Sequence, residues 1–161
     1  VGVGEVLEKL NESAPPTIKF LHATPVEIVE NVKRLPQTMA LLDGARYIIK
    51  IKLNGTSKAE EEMMKTLNEQ KWEIIKKTKK GEKLTDIKPL VKEFKYWIKD
   101  DELVLNTLIA TGSRENLSAE LLVNYLKEKI SEINTEAFVN IKREEMYILK
   151  SNKYIPLYKG I

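Results

Sequence analysis

The sequence predicts an α+β protein with a mostly antiparallel sheet, helices on one face of it and a ferredoxin-like topology. Segments that alternate apolar and polar residues outnumber segments with helical periodicity. Most neighbouring strand-like segments are separated by short polar turns, which join antiparallel strands. One helical segment, residues 57–70, lies between two strand-like segments and provides a β-α-β unit over residues 47–78. With 161 residues, of which 42% are hydrophobic, the chain is expected to form a single domain over residues 1–161.

The first elements alternate between helix and strand. Apolar residues spaced i, i+3, i+4 and i+7 predict a helix that ends near residues 11–13, because two prolines follow at once. Residues 17–24 alternate and are predicted to form a strand, whereas residues 25–37 suit a loop or a short helix. Residues 45–53 form the clearest strand. Its apolar residues lie on one side, and Arg46, Lys50 and Lys52 lie on the other.

The middle of the chain is predicted to form a helix and two hairpins. Ser57 and Glu60 match a capping box, which starts a helix that reaches about Gln70. A turn that contains Gly81 joins the strands of the first hairpin. The segments of the two hairpins are residues 72–78 with 83–87, and residues 94–98 with 103–110.

The last third is predicted to contain a polar loop, a helix and two strands. The loop covers residues 111–116, and Ser118 is the expected cap of the helix that follows. Residues 138–149 and 154–157 are the predicted strands. The helix presents its apolar residues on one face, as expected for packing against a sheet.

Composition excludes several kinds of function. The chain has no cysteine, which excludes a disulfide scaffold, a thiol nucleophile and a cysteine-bound iron–sulfur or zinc site. His22 is the single histidine, so no histidine-rich metal site is expected, and we interpret it as an edge or half-buried residue rather than a general base. No apolar run is long enough to span a membrane and no secretory leader is recognisable. We therefore expect a soluble, cytoplasmic protein without a membrane partner.

Residues 71–99 are strongly basic. Ten lysines against four acidic residues give this segment a charge of +6, compared with +3 for the whole chain. Trp72, Tyr96 and Trp97 lie in the same segment. Lysines neutralise phosphates and aromatic rings stack on bases, so RNA binding is one hypothesis. Its expected contacts are Lys79, Lys80 and Lys83, with Arg114 and Asn116 from the 111–116 loop. The alternative is a solvated hairpin whose aromatic rings face the core and whose lysines protect a sheet edge.

The polar loop at residues 111–116 precedes a helix N-terminus. Its backbone amides, with Arg114, would hold an anion, or the loop is an ordinary β-to-α connection with Gly112 at positive φ. Two carboxylates allow a similar choice. Asp43 lies in a turn and Asp86 in a hairpin, where it would pair with a lysine of the partner strand. Either residue would serve as an acid or base in an enzyme, or would fix backbone geometry.

Four segments, taken together, resemble the uncharacterised radical-SAM-linked family known as the DUF2344 domain. The segments are residues 36–47, 77–91, 108–117 and 143–147. The resemblance implies that this chain is the later part of such a domain. It also implies a partner, a cobalamin-type radical SAM protein, that would carry the iron–sulfur cluster and SAM. No cofactor or metal is then expected in this chain itself.

Three hypotheses about function follow. The first is a non-catalytic accessory domain that presents substrate, with RNA as the candidate, to a radical SAM protein or docks to it. Asp43, Gly81, Asp86 and Gly112 would then fix backbone geometry. The second is a small-ligand-binding or enzymatic domain that uses the 111–116 loop as an anion site. The third is a purely structural module that extends the sheet of a partner protein.

Overall fold

A computed structural model describes residues 1–27, 30 and 37–160 of the chain. The helices are α1 (Val3–Ser13), α2 (Thr38–Leu41), α3 (Ala59–Asn68), α4 (Ala119–Lys129) and α5 (Leu157–Gly160), with a 3₁₀ turn at Lys88–Leu90. The strands are β1 (Gly44–Lys52), β2 (Glu73–Thr78), β3 (Gly81–Asp86), β4 (Val91–Lys99), β5 (Glu102–Ala110), β6 (Asn140–Lys150) and β7 (Lys153–Pro156).

Five strands form one antiparallel sheet in the order β4-β5-β1-β6-β7. Strands β2 and β3 form a separate two-stranded sheet. The prediction of an α+β fold with an antiparallel sheet is therefore confirmed. The predicted β-α-β unit over residues 47–78 is wrong, because its second strand, β2, pairs with β3 outside the main sheet. The chain instead re-enters the main sheet at β4, with β5 between β4 and β1, and this split β-α-β order is consistent with a ferredoxin-like topology.

The main core lies between one face of the sheet and the helices α3 and α4. Ile49 is paired with Leu105 and Ile51 with Leu103, and all four side chains are fully buried. Met63 from α3 joins them in the same hydrophobic cluster, as do the apolar residues of α4. Because side chains alternate along a strand, burial of these residues turns their neighbours to the opposite face of the sheet.

The structure corrects the prediction of a strand at residues 17–24. There the backbone of Phe20 bonds to the side chain of Asn11 in place of a neighbouring strand: Phe20 N donates to Asn11 Oδ1 at 2.8 Å, and Asn11 Nδ2 donates to Phe20 O at 2.9 Å. The Asn11 amide thereby satisfies the backbone N–H and C=O of Phe20, which a strand would have paired with a neighbouring strand. Most of the predicted loop or short helix at residues 25–37 lies outside the described residues.

The capping box predicted for α3 is also wrong. The N-cap residue is Lys58, and the carboxylate that caps the helix is that of Glu132, from the turn after α4. Ser57 Oγ donates to Glu132 at 2.8 Å, and the backbone amides of Lys58 and Ala59 donate to it at 2.9 and 2.7 Å. The Glu132 carboxylate accepts three hydrogen bonds, which is more than a capping box formed by Ser57 and Glu60 would provide. By contrast, Ser118 caps α4 as predicted.

We expect Glu132→Gln to lower the melting temperature at neutral pH. The bonds from Ser57 and from the backbone amides lower the pKa of Glu132 below its ordinary value of 4.5. The charged form therefore stabilises the fold above the unfolded pKa, and this contribution is lost as the pH falls through the folded pKa. Thermal unfolding at pH 7 and pH 3 should show a difference between wild type and variant that shrinks on acidification.

Glu136→Gln is the matched control, because the Glu136 side chain is exposed and makes no hydrogen bond within the described residues. It should leave the melting temperature unchanged. A deficit for Glu132→Gln of the same size at pH 3 as at pH 7 would contradict a role for the Glu132 charge.

Candidate functional site

The face of the main sheet opposite α3 and α4 carries six basic side chains. We call this surface the open face; the basic residues on it are Arg46, Lys50 and Lys52 of β1, Lys95 and Lys99 of β4, and Lys142 of β6. They lie together because apolar residues at the alternate positions of the same strands are buried in the core. Three strands that are distant in sequence thus bring their lysines onto one surface.

Two neighbouring rows of the open face contain no carboxylate. Residues directly opposite each other on paired strands share a face, so the register of the sheet defines these rows. The first row is Trp97, Val104, Lys50 and Asn140, and the second is Lys95, Asn106, Ile48 and Lys142. Together the two rows offer three lysines, two amides, one indole ring and two aliphatic side chains across four strands.

Ion pairs engage three of the six basic side chains of the open face. Arg46 bonds to Glu93, which raises the pKa of the guanidinium, and Lys52 lies 3.0 Å from Glu102. Lys142 is paired with Glu144 at 2.9 Å. The basic residues of the open face that make no ion pair within the described residues are Lys50, Lys95 and Lys99. An exposed lysine without a carboxylate partner can neutralise a phosphate without breaking an existing bond.

Trp97 is the aromatic residue of the basic segment that is placed to contact a ligand. Its side chain is 45% exposed and helps to line a cleft of about 400 Å³ on the open face, with Lys50, Lys99 and Val104 among its neighbours. The sequence hypothesis also included Trp72 and Tyr96. These two belong to the core side: Trp72 is 1% exposed. The hydroxyl of Tyr96 donates to Glu60 at 2.7 Å, and burial raises the pKa of Tyr96 to about 12.

The predicted contact lysines Lys79, Lys80 and Lys83 lie at the end of the β2–β3 hairpin. All three are exposed, and the two-stranded sheet that carries them is separate from the open face. Gly81 has a φ of 117°, a conformation that favours glycine, and Thr78 Oγ1 donates to its carbonyl at 2.8 Å. The turn therefore fixes the hairpin tip and presents its lysines to solvent.

The 111–116 loop lies beside β1, and its main cation is already paired. Arg114 donates to the carboxylate of Asp43, and Lys92 lies 3.0 Å from Glu115. These four side chains border a cavity of about 300 Å³, in which two cations face two anions. Asn116 is exposed at the end of the loop. The cavity has no excess positive charge, so its electrostatics do not favour an anion.

Gly112 does not have the positive φ that the sequence suggested. Its role is close approach: a Cβ at this position would lie 2.1 Å from the carbonyl oxygen of Leu42 and 3.1 Å from the carbonyl carbon. Only a residue without a side chain allows the loop to pass this close to the start of β1.

Both candidate carboxylates hold backbone amides. Asp43 Oδ2 accepts a bond from Leu149 N at 2.8 Å, in addition to the bond from Arg114. Asp86 Oδ1 accepts bonds from Trp72 N at 2.8 Å and Lys88 N at 3.0 Å, which close the base of the hairpin. The residue opposite Asp86 is Glu73, so the expected pairing with a lysine of the partner strand is wrong. These contacts give both residues a role in positioning the backbone.

His22 lies against Tyr158, with ring centroids 5.5 Å apart. Within residues 1–27, 30 and 37–160, no three side chains of the metal-binding types come together as a site for an ion. The helices in the same part of the chain are all too short or too polar to cross a membrane.

No local pattern in the sequence identifies the open face as a site. The signal that was available is the alternation along β1, which places Arg46, Lys50 and Lys52 on one side of the strand. The alternation does not show which strands become neighbours of β1 in the sheet. Trp97 and Lys95 share a surface with Lys50 only through pairing of β4 with β5 and of β5 with β1.

Comparison with known proteins identifies a family. The model of a family described as uncharacterised proteins conserved in bacteria, DUF2344, matches residues 1–119. The match includes three of the resembling segments and ends before the fourth, residues 143–147. Neither the curated proteins nor the solved structures contain a match. Because the family model covers well over half of the 161 residues, the chain belongs to the DUF2344 family.

Proposed function

We propose that this protein is a non-catalytic accessory domain that binds RNA and presents it to a partner protein. The observation that carries the proposal is the open face, on the side of the sheet that α3 and α4 leave uncovered. There an exposed tryptophan lies among exposed lysines that have no ion-pair partner in the part of the chain that the structure describes. The proposal names no catalytic residue, because Asp43 and Asp86 are engaged with backbone amides.

The chemistry of the open face suits a polyanion that is recognised through its backbone. Lysine carries a compact charge without the planar fork with which arginine reads phosphates or guanine in two bonds. Lys50, Lys95 and Lys99 therefore supply affinity that is largely independent of sequence and that weakens steeply with salt. Such binding suits a domain that holds and orients a substrate while another protein carries out the reaction.

The partner in this proposal is a radical SAM protein in the cytoplasm. The support is the resemblance of the four segments to a radical-SAM-linked family, of which this chain would be the later part. That partner would supply the iron–sulfur cluster and SAM. The chain has no cysteine, so a cysteine-bound cluster would have to reside in the partner.

Two triple variants with the same change of charge test the proposal. We expect Lys50/Lys95/Lys99→Glu to weaken binding of a labelled RNA more than tenfold at 50 mM salt. We also expect the dependence of log Kd on log salt to fall by about 2, since each single-strand phosphate contact contributes about 0.7. The matched variant Lys79/Lys80/Lys83→Glu carries the same charge change on the hairpin and should lose less affinity.

Circular dichroism and thermal unfolding should show that both variants are folded. A larger loss in the hairpin variant would keep RNA binding but would assign the contact to Lys79, Lys80 and Lys83. If the wild-type chain shows no salt-sensitive binding at 50 mM, the RNA proposal is wrong and docking to the partner protein becomes the leading function.

A further inference from the structure

The open face carries an exposed tryptophan between two lysines of one edge strand. Trp97 lies in β4, an edge strand of the sheet, and its ring is 45% exposed. Lys95 and Lys99 are two residues away on either side along the same strand and therefore point to the same face. Directly across the sheet from Trp97 lie Val104 and then Lys50.

We propose that the open face binds single-stranded RNA, with one base stacked on the ring of Trp97. This inference rests on the proposed function and specifies its substrate class. Lys95 and Lys99 would contact the phosphates on either side of the stacked nucleotide, and Lys50 would contact the same strand from the centre of the sheet. Sheet surfaces that bind single strands without reading their sequence stack the bases on aromatic side chains and place lysines along the phosphate backbone of the nucleic acid.

The position of the ring excludes a regular duplex as the preferred ligand. In a duplex the faces of the bases are stacked on one another inside the helix, so none is available to an indole on a protein surface. A single strand can splay one base out at small cost. Lysines alone would bind both forms, and a duplex has the higher density of phosphates. A preference for the single strand would therefore come from Trp97 rather than from charge.

The residues around Trp97 suit a stacked base beside the indole and phosphates along the strand toward Lys95. Val104 is 5% exposed and gives the cleft an apolar floor beside the indole. At the β4–β5 turn the cleft is closed by the acidic Asp100 and Glu102, which repel phosphates. The strand of RNA should therefore follow β4 from Lys99 past Trp97 to Lys95 and the second acid-free row, and should not extend over the turn beyond Lys99.

The other tryptophan makes fluorescence a direct readout of stacking. Trp72 is 1% exposed, so a ligand on the open face can quench only Trp97. Titration of the full chain with a 12-nucleotide RNA should quench this emission. The RNA annealed to its complement should quench it less and should bind at least tenfold more weakly. A single-stranded DNA of the same sequence completes the set of ligands.

We expect Trp97→Leu to weaken binding of the single-stranded RNA by about 5- to 150-fold, the range expected for loss of one stacked base. Because no charge is removed, the salt dependence should stay as in wild type. Trp97→Phe retains an aromatic face and should recover most of the affinity. Ile75→Ala, a change at an exposed apolar residue of the hairpin, should bind like wild type.

The outcomes separate this inference from the proposed function. If Trp97→Leu binds RNA as wild type does while the Lys50/Lys95/Lys99→Glu variant does not, stacking is wrong and RNA binding stands. Equal affinity for duplex and single strand would overturn the substrate class. Binding of the DNA strand but not of the RNA would overturn the assignment to RNA. Absence of binding to every ligand would overturn both proposals.

Discussion

Replacement of Trp72 by alanine is expected to cost about 3–5 kcal/mol of the free energy of unfolding. The indole is 1% exposed, stacks on Tyr125 with ring centroids 5.4 Å apart, and meets Phe94 edge-on at 5.8 Å. Its Nε1 donates to the carbonyl oxygen of Thr66 at 2.9 Å. The single side chain thus joins the end of α3, the start of the β2–β3 hairpin, β4 and α4. Removal leaves a large cavity and takes one of two hydrogen bonds from the Thr66 carbonyl, which keeps the bond from Glu69 N at 3.2 Å.

Chemical denaturation monitored by circular dichroism measures this loss. Trp97→Ala is the matched control, because it removes the same side chain from a half-exposed position on the open face. We expect it to change the free energy of unfolding by less than about 1 kcal/mol. A loss of similar size in the two variants would contradict the assignment of Trp72 to the core and Trp97 to the surface.

Gly112→Ala is expected to cost about 3 kcal/mol, which is high for the addition of one methyl group. The new Cβ would lie 2.1 Å from the carbonyl oxygen of Leu42, and the atoms in its way are backbone rather than a flexible side chain. Relief requires the 111–116 loop to move away from the start of β1. Such a movement would also strain the hydrogen bond from Thr111 N to Asp43 O, now 3.1 Å long.

The same denaturation measurement applies, with Gly4→Ala as the control. Nothing lies within 4 Å of a Cβ at Gly4, which is inside α1, so alanine there should be neutral or slightly stabilising. If Gly112→Ala is as stable as wild type, the loop can shift at no cost, and the close approach to Leu42 does not constrain it.

Local patterns in the sequence were sufficient for much of the fold. Alternation predicted β1 and β4 because each has one face more buried than the other, and a side-chain oxygen at Ser118 predicted the start of α4. Prediction failed where a partner distant in sequence replaces a local one. Glu132 caps α3 from 73 residues away, and Asn11 bonds to the backbone of Phe20 in a segment that alternates like a strand.

The candidate site shows the same division. Lys79, Lys80 and Lys83 are close together in the sequence, so the sequence alone shows that they form a basic cluster. The structure places them on a hairpin outside the main sheet. The open face combines residues such as Lys50 and Trp97, which no local pattern relates. They belong to one surface because β5 pairs with both β1 and β4.

By itself the sequence determined the fold class, the basic character of residues 71–99 and the segments that resemble the DUF2344 family. Those properties depend on composition and on patterns a few residues long. The tertiary structure decided which tryptophan is buried, which lysines share a surface, and why Gly112 has no room for a side chain. Each of these depends on which strands and loops become neighbours, and long-range packing and strand register set that arrangement.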